Sequence, residues 1–322
     1  MKAIRVSHVG GPEVLELVDI DLPPPRPGEA RVRHTVIGVN FIDTYHRSGL
    51  YPLPLPTGIG NEAAGVVEAI GEGVSGVKLG DRVAYVGAMG AYSEANNVRA
   101  DRLVTIPEGV SDETAAAALL KGMTAQYLLK RTYVVKAGET ILFHSAAGGV
   151  GLIACQWAKS LGATVIGTVG HDDKTALAKA NGCAHALNAR KDDWAKQVRE
   201  ITGGEGVPVV YDSIGKDTFA GSLDSLAVRG LLVSFGNSSG PVAPFEPGIL
   251  AAKGSLYFTR PTLASYTRTP QELQETAADL FAAIASGAVQ IAVHQRFPLA
   301  DARKAHEALH TGQTTGATVL IP

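Results

Sequence analysis

The 322-residue sequence predicts an α/β protein in which a parallel-sheet unit follows a β-rich unit. Strand-like and helix-like segments alternate between about residues 140 and 259, which is typical of a parallel sheet with helical crossovers. The first 120 or so residues contain short valine- and isoleucine-rich runs between glycines and prolines, a pattern that favours strands and turns. The third observation is a glycine cluster at residues 146–151, placed between a strand and a helix.

The individual elements follow from local patterns. In the β-rich part, strands are expected at MKAIRV, EARVRHTVIGVN, AAGVVEAIG and DRVAYVG. Ser111 opens a capping box, and alanine and leucine at helical spacing predict a helix after it. Further strands are expected at 140–144, 163–169, 185–189, 207–212, 230–236 and 255–259, and helices at 149–161, 172–182, 193–204 and 219–227. The tail after residue 262 contains two more helices and two more strands, which either extend the sheet or fold back onto the first unit.

Composition narrows the classes of function. Lysine and arginine number 29 and aspartate and glutamate 31, so the sequence lacks the basic excess that is usual in a nucleic-acid-binding protein. The two cysteines form no CxxC pair, and we expect both to be packed side chains. We find neither the apolar core of a signal peptide nor a membrane-spanning run, so the expected compartment is the cytoplasm.

The glycine cluster AAGGVG fits the G-x-G-x-x-G pattern of dinucleotide-binding loops, with alanine in the first place. Gly148 would let the backbone approach a pyrophosphate, and Gly151 would let the helix pack closely on the strand. The helix N-terminus would offer its N–H groups to the phosphates. We expect Val150, Ile153, Trp157 and Leu161 to form the buried helix face. The alternative is that the glycines only permit tight packing in another α/β fold.

The residues after the next strand indicate which dinucleotide binds. That strand ends at residues 168–171 without the acid that would bind an NAD ribose, while Lys174 and Arg190 supply cations nearby. This favours the 2′-phosphate of NADPH. Asp172 and Asp173 are counter-evidence, although both are expected at a helix start, where acids are stabilising. Lys174 is alternatively a solvated helix residue.

Other catalytic templates are missing from the sequence. There is no phosphate loop of the GxxxxGK[ST] type, no GxSxG nucleophile motif and no histidine pattern with metal-ligand spacing. We expect Ser145 to be structural. His34, His46 and His144 are likewise expected to be structural residues with satisfied hydrogen bonds.

The segments ILFHSAAGGVG, GVNFIDTYHRSGLYP, GNEAAGVV and GDRVAY resemble one family over essentially the whole chain. This family is the zinc-independent NADPH:quinone oxidoreductase branch, similar to zeta-crystallin, of the medium-chain dehydrogenase/reductase superfamily. The resemblance implies a GroES-like catalytic domain at residues 1–124 and 263–322. A Rossmann NADPH-binding domain is then inserted at residues 125–262. It also implies a homodimer with a small quinone as substrate.

The resemblance also implies chemistry without zinc. Zinc-dependent relatives place a cysteine where this chain has Asn40 and a histidine where it has Asn61. A quinone needs no Lewis acid because conjugation delocalises the developing charge, so hydrogen-bond donors suffice. Asn40, Tyr45 and Tyr51 fall in the matching pocket segment as candidate donors, and Asp43 is expected to orient its neighbours. Packing is the alternative role for the two tyrosines.

The remaining candidate residues lie on the stretches that contact the cofactor in the family. They are Phe41, Ile42, Thr44, Tyr127, Gly148, Gly149, Val150, Gly170, His171, Lys174, Arg190, Ser213, Gly236, Asn237, Ser238, Ser239, Arg260, Pro261 and Thr262. The chain departs from the family at Ala189, where relatives often have tyrosine, and at Gly312, where they have a basic residue. Both changes imply fewer protein contacts to the adenine end of the cofactor, and Arg190 would compensate for this loss.

Two alternative functions stay open at this point. The first is an NADPH-dependent reductase of α,β-unsaturated carbonyls, which needs the same fold and the same cofactor. The second belongs to another class, a non-catalytic crystallin-like or RNA-binding protein. The balanced charge counts against RNA binding.

Overall fold

The computed structural model describes residues 1–191 and 193–322 and separates into two compact units. Unit 1 comprises Met1–Met123, Thr267–Ala285 and Ile291–Pro322, and unit 2 comprises Thr124–Tyr266 and Ser286–Gln290. Unit 2 thus includes a short segment from the tail of the chain. Gln156 explains it, because its amide donates to the Gln290 carbonyl at 3.1 Å and accepts from the Gln290 N–H at 2.9 Å.

The strands of the described residues run in chain order from β1 to β16. They are β1 Lys2–Val6, β2 Glu16–Asp19, β3 Glu29–Val39, β4 Thr57–Gly58, β5 Glu62–Ile70, β6 Arg82–Val86, β7 Ala95–Arg99, β8 Val104–Thr105, β9 Thr140–Phe143, β10 Thr164–Val169, β11 Cys183–Asn188, β12 Val207–Asp212, β13 Leu226–Ser234, β14 Tyr257–Thr259, β15 Val293–Pro298 and β16 Ala317–Ile321.

The α-helices of the same residues are numbered α1 to α10. They are α1 Phe41–Ser48, α2 Asp112–Tyr127, α3 Gly149–Ser160, α4 Thr175–Ala180, α5 Trp194–Ile201, α6 Phe219–Ser225, α7 Gly248–Ala252, α8 Leu263–Tyr266, α9 Pro270–Ala285 and α10 Ala302–His310. Helix α2 continues into a π-helical turn at Leu128–Thr132. None of the helices within the described ranges is long and apolar enough to cross a bilayer.

Unit 1 is built on a largely antiparallel sheet of order β15-β16-β3-β5-β6-β8, with β7 also paired to β3. A second, small sheet has the order β2-β1-β4. Strand β16 pairs with β3, so the tail folds back onto the first part of the chain. The two ends of the chain share one core, in which Ile4 and Val32 pack with Leu309 and Leu320.

Unit 2 contains a six-stranded parallel sheet of order β11-β10-β9-β12-β13-β14. The predicted α/β fold class is therefore confirmed. The strand order reverses between β9 and β12, and ligands of such sheets bind beyond the carboxyl ends of the strands at this point. The loops that follow β9, β10 and β12 carry several of the predicted cofactor residues.

Two local predictions were wrong. Strand β13 begins at Leu226, four residues before the predicted start, because Leu226 pairs with Val207 before a register shift. Helix α3 is buried on more than the predicted face: Val150 and Leu161 are only half-buried, whereas Cys155 is fully buried. Additional groups cover this helix, since Lys130 lies over the Trp157 ring at 5.2 Å and Cys155 contacts the Cys183 thiol.

Candidate active site

Helix α1 of unit 1 begins at the segment predicted to be catalytic. Asn40 is its N-cap residue, and the carboxylate of Asp43 in the first turn accepts the Asn40 N–H at 2.9 Å. The helix ends at Gly49, whose φ of +80° suits glycine. Beyond it, the Tyr51 N–H donates to the Tyr45 carbonyl at 3.1 Å, and the two rings meet edge to face with centroids 5.2 Å apart. The structure thus brings Asn40, Asp43, Tyr45 and Tyr51 onto one helix and its C-terminal turn.

The predicted cofactor residues Phe41, Ile42 and Thr44 share this helix. Thr44 Oγ1 donates to the Phe41 carbonyl at 2.7 Å, which reinforces the first turn. Phe41 keeps 41% of its surface exposed, unusual for a phenylalanine, and its ring lies 6.5 Å from that of Tyr45. Helix α1 therefore presents an apolar ring beside its polar residues.

A buried carboxylate that the sequence analysis missed orients Asn40. Glu62 accepts from Asn40 Nδ2 at 2.8 Å, from the Leu120 N–H at 2.5 Å and from Lys121 Nζ at 3.5 Å. Because Nδ2 of Asn40 is engaged, the carbonyl oxygen of this amide is directed elsewhere. The sequence did contain a signal for Glu62, because it is a charged residue next to the apolar run of β5. A charged residue is buried only when it is paired.

Asp43 is the centre of a second buried network. Besides the Asn40 N–H, it accepts hydrogen bonds from Asn61 Nδ2 at 2.9 Å and from the Tyr92 hydroxyl at 3.0 Å. Burial raises the pKa of Asp43 to about 6, although these hydrogen bonds and the charge of Lys121 act in the opposite direction. A fully buried acid with three donors holds its neighbours in place.

The network continues from Tyr92 to the other end of the chain. Because the Tyr92 proton is donated to Asp43, its oxygen accepts from His306 Nε2 at 3.0 Å. His306 Nδ1 then accepts from the Arg47 guanidinium at 3.2 Å. Burial and the Arg47 charge lower the pKa of His306 to about 3, so it is neutral. Arg47, Tyr92 and His306 were not among the predicted site residues.

The three histidines expected to be structural divide into two groups. His34 bonds the Ser93 carbonyl at 2.7 Å and the Tyr85 hydroxyl at 2.9 Å, and His144 bonds Thr168 and Ser222; for these two the prediction is confirmed. His46 is different, because it is only half-buried and its ring has one hydrogen-bond partner among the described residues, Asn61 Nδ2, at 3.2 Å from Nδ1.

In unit 2, the glycine cluster forms the predicted turn between β9 and α3. Ser145 has a positive φ of 56°, and Gly148 is the N-cap of α3. A Cβ on Gly151 would lie 2.2 Å from the Ser145 carbonyl oxygen, so only glycine permits this approach of helix and loop. Helix α3 leaves the N–H groups of its first turn, at Gly149 and Val150, for an external acceptor. This arrangement fits a pyrophosphate.

A buried aspartate shapes the turn after β12, which carries Ser213. Asp212 accepts the N–H groups of Ile214 and Gly215 at 2.8 and 3.0 Å on one oxygen. Its other oxygen accepts from the Thr218 and Ser222 hydroxyls at 2.7 and 2.9 Å. These hydrogen bonds hold the turn in place beside β9, the strand that leads into the glycine cluster.

The predicted residues after β13 and β14 come together with Ser213. Ser238 N–H donates to the Ser213 carbonyl at 3.1 Å, and a Cβ on Gly236 would lie 2.5 Å from the same oxygen. Arg260 donates to the Ser234 carbonyl at 3.0 Å and to the Asn237 side-chain oxygen at 3.3 Å. Ser239 is also fixed, by a bond from its hydroxyl to the Ile214 carbonyl at 2.9 Å.

Tyr127 is buried and stacks on Tyr266 with ring centroids 4.5 Å apart. Burial raises its pKa above the ordinary value, with the Arg260 charge acting in the opposite direction. Pro261, which follows Arg260, is buried, whereas Thr262 is exposed and bonds the Ser265 hydroxyl at 3.0 Å. Tyr127 and Arg260 therefore belong to one cluster, and Thr262 lies at its exposed end.

At the end of β10, Arg190 and Lys174 supply cations, and the nearby acids are Asp172 and the exposed Asp173. Arg190 Nε lies 4.0 Å from the place of a Cβ on Gly170, and its backbone N–H is held by Asn188 at 2.9 Å. Asp172 is engaged by Asn188 and by Lys191 at 2.9 and 3.2 Å, and these bonds hold its pKa below the usual range. His171 and Lys174 flank this position in the 3₁₀ turn before α4. This set of donors fits a 2′-phosphate.

No group of three or more histidine, cysteine, aspartate or glutamate side chains that could hold a metal ion occurs among residues 1–191 and 193–322. Zinc-dependent relatives are expected to have metal ligands at two positions that are amides here, and both amides are engaged by carboxylates, Asn40 by Glu62 and Asn61 by Asp43. Amide groups are weak ligands for zinc, which prefers thiolate, imidazole and carboxylate.

Comparison with known proteins gives a consistent result over the full length. Residues 26–139 match the alcohol dehydrogenase GroES-like domain, and residues 149–283 match the family described as zinc-binding dehydrogenase. The chain is 55% identical to a quinone oxidoreductase of Pseudomonas aeruginosa, covering 100% of this chain and 99% of that protein. It is 53% identical to quinone oxidoreductase 1 of Escherichia coli, with 99% of each covered.

A further relative and one solved structure bear on the chemistry. The chain is 45% identical to a 2-haloacrylate reductase of a Burkholderia species, covering 99% of this chain and 98% of that one. The crystal structure of Escherichia coli quinone oxidoreductase complexed with NADPH superposes with a TM-score of 0.98 at 52% identity, and both chains are covered completely.

Proposed function

Since this chain belongs to the quinone oxidoreductase family of the medium-chain dehydrogenase/reductase superfamily, we propose that it reduces small quinones with NADPH and without a metal ion. The observation that carries the proposal is the amide pair Asn40 and Asn61, which stands where zinc-dependent relatives are expected to have metal ligands and which is engaged by Glu62 and Asp43. In this proposal unit 1 is the catalytic domain and unit 2 the cofactor domain. The compartment we propose is the cytoplasm, where NADPH is available.

NADPH is the cofactor that the residues of unit 2 fit. The first turn of α3 at Gly149 and Val150 would bind the pyrophosphate, and Arg190 with Lys174 would bind the 2′-phosphate. The cluster of Tyr127, Ser213 and Arg260 would contact the rest of the dinucleotide. When bound, NADPH supplies the hydride for the reduction, and the protein's contribution is to orient it.

The polar groups of α1 would serve the quinone. We assign Tyr45 and Tyr51 as hydrogen-bond donors to the quinone oxygens, and Asn40 as a polar contact whose direction Glu62 fixes. The half-exposed ring of Phe41 offers an apolar surface to a flat substrate. Asp43 acts as a positioning residue, since all its hydrogen bonds go to protein donors.

The test is the rate of NADPH oxidation with 1,4-benzoquinone, repeated with NADH and, in parallel, with a 2-alkenal. Fast turnover with the quinone and NADPH, and slow turnover with NADH, is the expected result. A Y45F/Y51F double variant should lower the rate, with the melting temperature as a control for folding. Absence of quinone turnover in the wild type would contradict the proposal.

Reduction of α,β-unsaturated carbonyls is the second candidate, and the 45% identity to the 2-haloacrylate reductase favours it. Turnover with the alkenal or with 2-chloroacrylate, but not with the quinone, would replace the first proposal by this one. NADPH binding without turnover on any acceptor, together with a gel shift of RNA, would support the non-catalytic alternative instead.

We also propose a homodimer formed through the edge of the unit 2 sheet. Within the described residues β14 pairs only with β13, and the nearby Tyr257 and Val228 are 62% and 72% exposed. An unpaired edge with exposed apolar side chains is suited to pairing with a second copy. Light scattering should give a dimer for the wild type and a monomer for Tyr257→Lys, with Leu79→Lys, which is 59% exposed in unit 1, as the matched control.

A further inference from the structure

His46 lies on α1 between the proposed donor Tyr45 and the end of the helix, and the function proposed above does not use it. Its ring is half-buried and meets the Tyr51 ring edge to face, with centroids 6.0 Å apart at 64°. It therefore belongs to the same group of rings as Tyr45 and Tyr51.

The protonation state of this ring follows from its single partner. Asn61 Nδ2 donates to Asp43 Oδ1 at 2.9 Å, and a carboxylate oxygen can only accept, so the orientation of the Asn61 amide is determined. The second proton of the same Nδ2 points to His46 Nδ1 at 3.2 Å. Nδ1 must then be the acceptor, and the ring proton lies on Nε2. The remaining bonds of Asp43, to the Asn40 N–H and Tyr92, hold this arrangement in place.

The Nε2–H group is available to a ligand. Within the described residues it has no hydrogen-bond partner, and the His46 side chain is only half-buried. Burial of part of the ring lowers the pKa of His46, which favours the neutral form further. A neutral imidazole with a fixed tautomer and an open Nε2–H is a directed hydrogen-bond donor.

We propose that His46 donates a hydrogen bond from Nε2 to the substrate oxygen on which negative charge develops. This inference rests on the proposed quinone reduction. The quinone gains two electrons and one hydrogen from NADPH, and one proton from solvent completes the hydroquinone. His46 keeps its proton throughout and acts as an electrostatic stabiliser of the transition state, as oxyanion donors do. Asn61 is a positioning residue, because it fixes the tautomer.

The test compares His46→Leu, which removes the donor, with His46→Gln, which keeps an N–H at a similar reach. For the leucine variant we expect kcat to fall about 10- to 100-fold with little change in KM, since the interaction strengthens in the transition state. The glutamine variant should recover most of this loss. The loss should grow along a series of benzoquinones of decreasing electron affinity, because more charge then resides on the oxygen in the transition state.

Three further measurements separate this role from a structural one. NADPH affinity, measured by nicotinamide fluorescence, should equal that of the wild type in both variants, and the melting temperature should show that both are fully folded under the assay conditions, although His46→Leu lowers it by leaving the Asn61 amide without its acceptor. His294→Leu is the matched control, because the His294 side chain is exposed on β15 and bonds the Thr315 hydroxyl at 2.8 Å, and its kinetics should be unchanged. A leucine variant with wild-type kcat on every quinone, or a glutamine variant as slow as the leucine one, would overturn the inference. If the wild type itself reduces no quinone, the proposed function fails and this inference fails with it.

Discussion

Asn40 and Glu62 are joined by a hydrogen bond of 2.8 Å between the amide nitrogen and a completely buried carboxylate. The same carboxylate compensates the charge of Lys121, which is itself buried. A structural ion pair of unit 1 thereby sets the direction of a candidate catalytic amide, so stability and site geometry depend on the same group.

Replacing Glu62 by glutamine should destabilise unit 1. The substitution preserves size but leaves the Lys121 charge without its counter-charge, which typically costs about 3 kcal/mol of unfolding free energy. Urea denaturation measures the loss. The double variant Glu62→Gln/Lys121→Met should recover most of it, because the unpaired charge is then gone. Additive losses in the double variant would show that the pair is not coupled.

Gly151→Ala should disturb the loop and α3 together. Its Cβ would lie 2.2 Å from the Ser145 oxygen and 2.7 Å from Ala146 Cα, both backbone atoms, so the helix has to move. We expect a loss of about 2 kcal/mol in stability and at least a 10-fold weaker affinity for NADPH. Gly248→Ala is the control, since no atom lies within 4 Å of its Cβ position. Unchanged NADPH affinity in the Gly151 variant would contradict the assigned phosphate contact.

Arg190→Ala should reduce the preference for NADPH over NADH. Loss of one charged contact to the 2′-phosphate corresponds to about a 10- to 100-fold fall in kcat/KM with NADPH, with no change for NADH. Lys196→Ala, which removes an exposed cation on α5, is the charge-matched control. Equal effects on the two cofactors would exclude Arg190 as the residue that selects the phosphate.

Acid should destabilise the protein partly through His34. Burial lowers its folded-state pKa to about 4, below the ordinary value of about 6.5, so the unfolded state binds the proton more readily. The contribution of His34 to stability is fully present above pH 6.5 and is lost as the pH falls towards 4. By pH 5 the unfolding free energy is lower by about 2 kcal/mol from this group. Chemical denaturation at pH 7 and pH 5 gives the difference in unfolding free energy between the two pH values. This difference should be smaller in His34→Gln than in the wild type and unchanged in His310→Gln, an exposed control. Identical pH slopes in all three proteins would refute the assignment.

The sequence was sufficient to predict the parallel sheet and the glycine loop, because both depend on patterns that are local in the chain. The helix that follows Gly148, the strand before it and the acid-free end of β10 lie where they were predicted. Spacing alone determines such elements, since the period of the apolar residues differs between helices and strands.

The polar networks around α1 were not predictable in the same way. Arg47 and His306, which bond each other, are 259 positions apart, and Glu62 meets Lys121 across 59. No local pattern connects such pairs, and a lone histidine or glutamate in a sequence does not reveal its partner. His46 was assigned to the structural histidines for this reason, since its distinction from His34 is one of exposure and of an open Nε2.

The pairing of β16 with β3 has a consequence for synthesis on the ribosome. Strand β3 emerges early, but two of its neighbours in the finished sheet are β5 and β16, and β16 is translated after all of unit 2. Unit 2 can therefore complete its sheet on the nascent chain while the first 123 residues still lack a central strand. N-terminal units generally fold first during synthesis, but here unit 1 stays incomplete until its last strand has been made. During that interval residues 37–39 of β3, which pair with β16 in the finished sheet, have an unpaired edge, and such an edge is prone to aggregation.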